Sequence, residues 1–137
     1  MSAFSEYLAE ELTNWLASNT AFDGSPTDLY VTVWDTSETE LSGDFPNARL
    51  AVNNSNWTVT DSGASFDSRF ENANELDLGE ASADVTDIDR IAIYDASTGG
   101  NLLLTTTLSD APFDVSSGTR LKFEPGDVNF DVIEYDE

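Results

Sequence analysis

Residues 91–104 of the chain read Ile-Ala-Ile-Tyr-Asp-Ala-Ser-Thr-Gly-Gly-Asn-Leu-Leu-Leu, and this stretch decides the fold. Two runs of branched, aromatic and apolar residues, typical of β-strands, flank a short polar segment. In that segment Asp95 can accept backbone N–H bonds across the turn, and Gly99 and Gly100 can adopt the positive φ angles that close it. The stretch therefore predicts a β-hairpin whose turn is set by Asp95, Gly99 and Gly100.

Strand patterns of the same kind recur through most of the chain after Pro26. The clearest is Leu29–Trp34, which is rich in branched and aromatic residues. Further candidate strands are Ala48–Val52, Trp57–Thr60, Glu75–Leu78, Arg90–Tyr94, Leu102–Leu108, Thr119–Phe123 and Val128–Ile133. Short strands at this spacing, separated by turns rich in Asn, Ser and Gly, predict an all-β fold, namely an antiparallel β-sandwich of the jelly-roll or immunoglobulin-like kind.

The N-terminal segment predicts one amphipathic helix, from about Ala3 to Ser18. Its apolar stripe recurs at helical spacing and consists of Phe4, Leu8, Leu12 and Trp15. This helix either covers one end of the domain or forms an arm that docks on a neighbouring subunit. We expect a single domain, with the helix and a turn in residues 1–22 and the sandwich in residues 27–137.

The charge balance of the chain is extreme, with 27 acidic against five basic residues and a net charge of −22. At low ionic strength such a surface repels itself and weakens the fold, whereas at about 1 M salt the Debye length falls to about 3 Å. High net charge is also typical of disorder, but 39% of the residues are hydrophobic and eight are Phe. The composition therefore indicates a folded, salt-adapted protein from a haloarchaeal setting, made in a cytoplasm at high salt.

The composition also limits partners and chemistry. A surface this negative cannot neutralise phosphates, so we expect no nucleic acid and no membrane among the partners. With no His, no Cys and a single Lys, the usual nucleophile–base pairs are missing. Pairs of carboxylates carry no signal when acids are this abundant. We therefore expect no enzyme and no cofactor.

Two minor features could hold a ligand or a modification. Asp84, Asp87 and Asp89 are weak candidates for a Ca²⁺ site, since oxygen ligands suit that ion. Their loop lacks the glycine and distal Glu of an EF-hand, so a solvated acidic turn is the favoured interpretation. Asn53 and Asn56 begin glycosylation tripeptides, which indicate at most an exposed loop.

Four stretches of the chain, in order, resemble the motifs of one protein family. They are the opening helix from Phe4 to Trp15, the segment with TELSG and ARLAV within residues 29–52, the hairpin with DASTGGNLL, and the closing SGTRLKFEPGDV of residues 117–128. Together they resemble a family of small virion proteins of tailed bacterial viruses, often labelled tail-fibre-like or minor tail proteins. The resemblance covers nearly the whole chain apart from residues 53–89, and it implies a structural role without catalytic residues.

The resemblance and the composition together predict a structural protein of the virion of a haloarchaeal tailed virus. The chain would be a capsid decoration or turret subunit, or a tail component, that assembles symmetrically with itself and with other virion proteins such as the major capsid protein. The expected subunit contact uses either the apolar stripe of Phe4, Leu8, Leu12 and Trp15 or the loop around Phe45. One alternative is a carbohydrate- or cell-surface-binding module at a fibre tip, with Trp34 and Trp57 exposed in loops. Another is a cellular halophilic domain.

Overall fold

A computed structural model describes residues 2–18, 28–61 and 67–133 of the chain. One α-helix and eleven β-strands account for most of these residues. In chain order the elements are β1 Ser2–Phe4, α1 Glu6–Ser18, β2 Leu29–Asp35, β3 Leu50–Val52, a 3₁₀ turn Asn54–Asn56, β4 Trp57–Asp61, β5 Asp67–Asn72, β6 Leu76–Glu80, β7 Val85–Tyr94, β8 Leu102–Thr107, β9 Phe113–Val115, β10 Arg120–Phe123 and β11 Asn129–Ile133.

The strands form three antiparallel sheets. The largest has the order β1-β8-β7-β2-β3, with β9 also paired to β7. A two-stranded sheet joins β10 to β6, and a three-stranded sheet has the order β11-β5-β4. All pairings are antiparallel. The predicted all-β sandwich with one helix is therefore confirmed.

One apolar core joins the three sheets. The register pairs Val31 with Ile93 and Val33 with Ile91, so branched side chains of β2 and β7 lie next to each other. The most deeply buried apolar side chains are Val31, Val33, Leu76, Leu78, Ile88, Ile91, Ile93, Val128 and Phe130. They come from every sheet and form a single cluster, because each sheet can remove its apolar face from water only by packing on another.

The helix begins later than the sequence predicts. Ser2–Phe4 is a strand, in which Phe4 pairs with Leu104 of β8, and the helix starts at Glu6. The Ser5 hydroxyl accepts the N–H of Leu8 at 3.1 Å and caps the helix. Phe4 therefore does not belong to the helical stripe. Pairing with a sheet edge overrides the helical pattern of the first residues.

The sequence pattern does not predict strands β5 and β9, and β7 begins at Val85, five residues before the predicted Arg90. Their sequences, such as DSRFEN in β5, contain Asp, Asn and Ser, which have low strand propensity. Pairing of β5 with both β4 and β11 outweighs that propensity. In the part of the chain that the structure describes, no helix is long and apolar enough to cross a membrane.

Candidate functional site

The most elaborate side-chain arrangement surrounds Arg49, which lies just before β3 and whose side chain is only 8% exposed. Its Nε donates to Glu40 Oε1 at 2.8 Å and its Nη2 to Oε2 at 3.1 Å, so the ion pair is two-pronged. Its Nη1 donates to the carbonyls of Ala96 at 2.8 Å and Gly99 at 2.6 Å. The guanidinium carbon lies 3.6 Å from the centroid of the Tyr94 ring. One side chain thus ties the β2–β3 connection to the β7–β8 turn.

The β7–β8 turn is also closed by its own residues. Asp95 Oδ1 accepts the backbone N–H of Asn101 at 2.6 Å, and Oδ2 accepts the Asn101 side-chain amide at 3.0 Å. Gly99 and Gly100 have φ values of 59° and 69°, in the region that L residues rarely adopt. A Cβ on Gly100 would lie 2.5 Å from Asp95 Oδ1. The three residues predicted to set this turn therefore lie together in it.

The electrostatics of the cluster follow from the ion pair. Hydrogen bonding to Arg49 holds the pKa of Glu40 below its ordinary value. The same contact raises the pKa of Arg49. Burial raises the pKa of the Tyr94 phenol. Glu40 and Arg49 are therefore both charged at neutral pH and cancel each other locally.

A groove of about 380 Å³ opens beside this cluster. Its lining residues are small or hydroxyl-bearing apart from the ion pair: Glu40, Ser42, Gly43, Ala48, Arg49, Ser97, Thr98 and Gly99. Glu40 and Arg49 are the charged residues of this lining and cancel each other, while the Asp95 carboxylate lies close by in the same turn. The groove offers hydroxyl groups and backbone rather than an acid–base pair.

A second buried polar centre is Asn72, at the end of β5 and 1% exposed. Its side-chain amide donates to the carbonyls of Asn74 at 2.8 Å and Glu124 at 2.9 Å, and its Oδ1 accepts the N–H of Val128 at 2.9 Å. Its backbone bonds to Val128 and Gly126 as well. Asn72 therefore holds the β10–β11 turn. No local pattern marks it, because its partners in the β10–β11 turn, Glu124 and Val128, lie more than fifty residues away.

Every basic side chain of the chain is engaged within the subunit. Arg90 contacts Glu38 and Asp89. On the outer face of the β10–β6 sheet, Arg120 contacts Asp77 at 2.7 Å and Lys122 contacts Glu75 at 3.4 Å. Arg49 pairs with Glu40, and Arg69 is likewise not free. All five basic side chains are thus engaged within the subunit, and the 27 acidic residues exceed them in number.

The candidate metal ligands do not converge. Asp84 Oδ1 accepts the N–H of Ser117 at 2.9 Å, and Asp89 Oδ2 lies 3.4 Å from Arg90 Nε. Asp87 is exposed, and its N–H donates to Asp114 at 3.0 Å. Among residues 2–18, 28–61 and 67–133, no group of three acids is placed to hold a metal ion.

The two candidate glycosylation asparagines, Asn53 and Asn56, lie at the 3₁₀ turn. The Asn53 side chain accepts the N–H of Ser55 at 2.9 Å, and Asn56 Oδ1 accepts the N–H of Asn53 at 2.8 Å. Both side chains therefore cap the turn that leads into β4.

The residues expected at a subunit contact fall into different environments. Phe4, on β1, is 47% exposed, and Leu16, near the end of α1, is 69% exposed. Leu8 and Leu12 are half-buried. The side chain of Trp15 lies outside what the structure describes.

Phe45 requires a correction, because it is 2% exposed and belongs to the core of its own subunit. The Asn47 N–H donates to the Leu78 carbonyl at 3.0 Å, which ties this loop to β6. With the loop held there, the Phe45 ring packs inward. Its side chain is not available to a neighbouring subunit.

Trp34 and Trp57, the candidates for an exposed aromatic cluster, lie on strands β2 and β4. Both are half-buried, and the indole nitrogen of each is shielded from solvent. Trp57 packs edge-to-face on Phe130, with ring centroids 6.1 Å apart. These two residues therefore do not form an exposed binding platform in loops.

Comparison with known proteins identifies the family of the chain. A search of curated proteins finds no match. The family model described as podophage GP4 fiber I protein gp80 matches residues 3–131. The matched range includes the β2–β3 connection and the β7–β8 turn, which Arg49 joins, and the β10–β11 turn, which Asn72 holds. The chain therefore belongs to the family of the podophage GP4 fiber I protein gp80.

Proposed function

We propose that this chain is a structural subunit of the tail, or of the particle surface, in a tailed virus of halophilic archaea. The observation that carries the proposal is the family match from residue 3 to residue 131, to a family described as a phage fibre protein. Within the particle the chain would contact further copies of itself and other virion proteins, such as the major capsid protein. Its role is assembly, without turnover of a substrate.

The composition supports the halophilic host. The net charge of −22 already counts all five basic residues, so the excess of acidic side chains remains after every internal ion pair is made. Such a surface favours the folded state only when salt screens it. The same acids keep an assembled particle soluble in brine.

The N-terminal segment is the first candidate for a contact between copies. Phe4 and Leu16 are the exposed large apolar side chains among the described residues, and Leu8 and Leu12, between them in the chain, are half-buried. Burying exposed apolar surface is favourable at about 25 cal/mol per Å², and it does not require opposite charges. A repeated contact through this segment would close a ring or extend a stack.

A binding module at a fibre tip is less well supported. Sugar-binding modules of that kind present aromatic faces to solvent, whereas Trp34 and Trp57 are half-buried on strands. A cellular halophilic domain is less well supported because the family match extends over nearly the whole chain.

Two measurements test the proposal. Mass spectrometry of purified virions from a halophilic host should find the chain in many copies, and light scattering in high salt should give the mass of an oligomer. A chain that is absent from the particle, or that turns over a substrate, would contradict the proposed role.

A further inference from the structure

We propose that a groove between the β8–β9 connection and the β10–β11 turn receives an arginine side chain of a different virion protein. The groove has a volume of about 300 Å³, and its lining residues are Leu108, Ser109, Asp110, Phe113, Phe123 and Asp127. We call it the Phe113 groove. The inference rests on the proposed role of the chain as a virion subunit, and it names the chemistry of one contact with another virion protein.

The floor of the Phe113 groove is apolar and continuous with the core. Leu108 is 7% exposed and Phe123 is 6% exposed, and the half-buried Phe113 packs against the same core. Phe113 is fixed on β9 by its pairing with Ile88 of β7. An occupant with an apolar stem can therefore bury that stem against two aromatic side chains.

The walls of the groove carry two carboxylates. Asp127 Oδ2 accepts the N–H of Glu124 at 3.0 Å, which orients this side chain within its turn. Asp110 has a φ of 54°, a conformation that Asp tolerates better than most residues. Both residues are exposed, and among the described residues neither carboxylate forms an ion pair. The groove thus joins two carboxylates that lack a cation to an aromatic floor.

This combination points to one kind of occupant. Acids are common on this chain, so it is the aromatic floor between the two carboxylates that makes the pair informative. A hydrated inorganic cation makes no use of an apolar floor, and an apolar side chain would desolvate the carboxylates without pairing them. An arginine satisfies both parts, because its guanidinium stacks on aromatic faces and donates to carboxylates as a planar fork.

The arginine comes from another protein, because this chain has none to spare. All five of its basic side chains are engaged within their own subunit. A second copy would have to give up an internal contact in order to fill the groove. The net charge of −22 also favours a partner that brings positive charge to the contact.

The test titrates the folded chain with a short peptide that carries one arginine between glycines. The control peptide carries citrulline, which keeps the shape of the side chain but has no charge. Binding is followed by the NMR signals of Phe113 and Phe123 in about 3 M NaCl, since a partly buried ion pair is screened less than an exposed one. We expect saturable shifts with the arginine peptide, and binding of the citrulline peptide that is weaker by about tenfold.

Asp110→Asn removes one carboxylate of the groove, and Asn keeps the size of the side chain and tolerates the same φ. We expect it to weaken binding of the arginine peptide by about twofold to fivefold, as for one partly exposed ion pair. Asp114→Asn is the matched control. It removes the same charge next to Phe113, but successive side chains of a strand point to opposite faces, and Asp114 does not line the groove. The D114N chain should bind the peptide like the unmodified chain.

Other outcomes would overturn the groove contact. Equal binding of the two peptides would do so, as would equal effects of Asp110→Asn and Asp114→Asn. A loss of self-association in D110N, measured by sedimentation, would also overturn it, because the occupant would then be a second copy. None of these results bears on the role in the particle, which detection of the chain in virions tests separately.

Discussion

Arg49 and Glu40, nine residues apart in the chain, form a two-pronged ion pair with N–O distances of 2.8 and 3.1 Å. The Arg49 side chain is 8% exposed and the Glu40 side chain 22% exposed. Arg49 also reaches two carbonyls of the β7–β8 turn. The segment around residues 39–52 and the hairpin at residues 91–104 are therefore one structural unit. The first segment supplies Arg49, and the guanidinium of Arg49 donates hydrogen bonds to the turn of the second segment.

Replacing Arg49 should destabilise the protein strongly. Arg49→Met leaves Glu40 without its partner and the carbonyls of Ala96 and Gly99 without a donor, so we expect a loss of about 3 kcal/mol in the free energy of unfolding. The matched control is Arg120→Met, which removes a pair with Asp77 whose side chains are 48% and 35% exposed. That loss should be below about 1 kcal/mol. Equal losses in denaturant titrations of the two variants would contradict the buried role of Arg49.

Glu40 should make stability depend on pH. Its pKa in the folded chain lies below the ordinary value of 4.5, chiefly through its hydrogen bond to Arg49. The folded state then binds fewer protons than the unfolded state, so the contribution of Glu40 is present above about pH 4.5 and is lost as the pH falls through the folded pKa. Thermal unfolding at constant salt should show a smaller loss of stability on acidification in Glu40→Gln than in the unmodified chain. The same acid dependence in both proteins would show that Glu40 is not responsible.

The two glycines of the turn should differ in their sensitivity. Gly99 has open space where a Cβ would be, so Gly99→Ala meets only the cost of the left-handed conformation, about 1–2 kcal/mol. Gly100→Ala adds a contact of 2.5 Å with Asp95 Oδ1, so its loss should be larger. Replacing both with Val should prevent folding, because branched residues are strongly disfavoured at these φ values. Denaturation curves that rank Gly99→Ala as the more destabilising change would contradict the turn geometry.

Asn72 should be as important as an apolar core residue. Asn72→Leu removes a donor and an acceptor that serve Glu124 and Val128, and the buried Val128 N–H loses this acceptor. We expect a loss of about 2–4 kcal/mol, which can be read from urea titration. Asn74→Ala, at an exposed position whose amide lies 3.4 Å from the Ser55 carbonyl, is the control and should lie within about 0.5 kcal/mol of the unmodified chain.

Folding should require salt. With a net charge of −22 and the basic side chains engaged, self-repulsion at low ionic strength works against a folding free energy of roughly 5–15 kcal/mol. Near-UV circular dichroism compared at about 3 M and about 0.05 M NaCl should show native packing only at the higher concentration. A native spectrum and an unchanged melting temperature at low salt would remove the basis for a halophilic host.

The sequence by itself determined the fold class and the β7–β8 turn. Alternating and branched residues predict strands wherever the pattern is strong, as in Leu29–Trp34, because a half-buried strand needs that alternation. The Gly99–Gly100 pair predicts its turn because the positive φ values are a local requirement of the backbone. The net charge and the lack of His and Cys follow from the composition alone.

Only the tertiary structure decided which polar residues matter. Asn72 and Arg49 each also bond to partners about fifty residues away in the chain, and no local period reports such a contact. Phe45, which stands in a polar stretch, is drawn into the core because its loop is bonded to β6. Phe4 leaves the predicted helix because it pairs with β8. In each case a non-local contact outweighs a local preference, since burial and pairing are worth more than the propensity of a single residue.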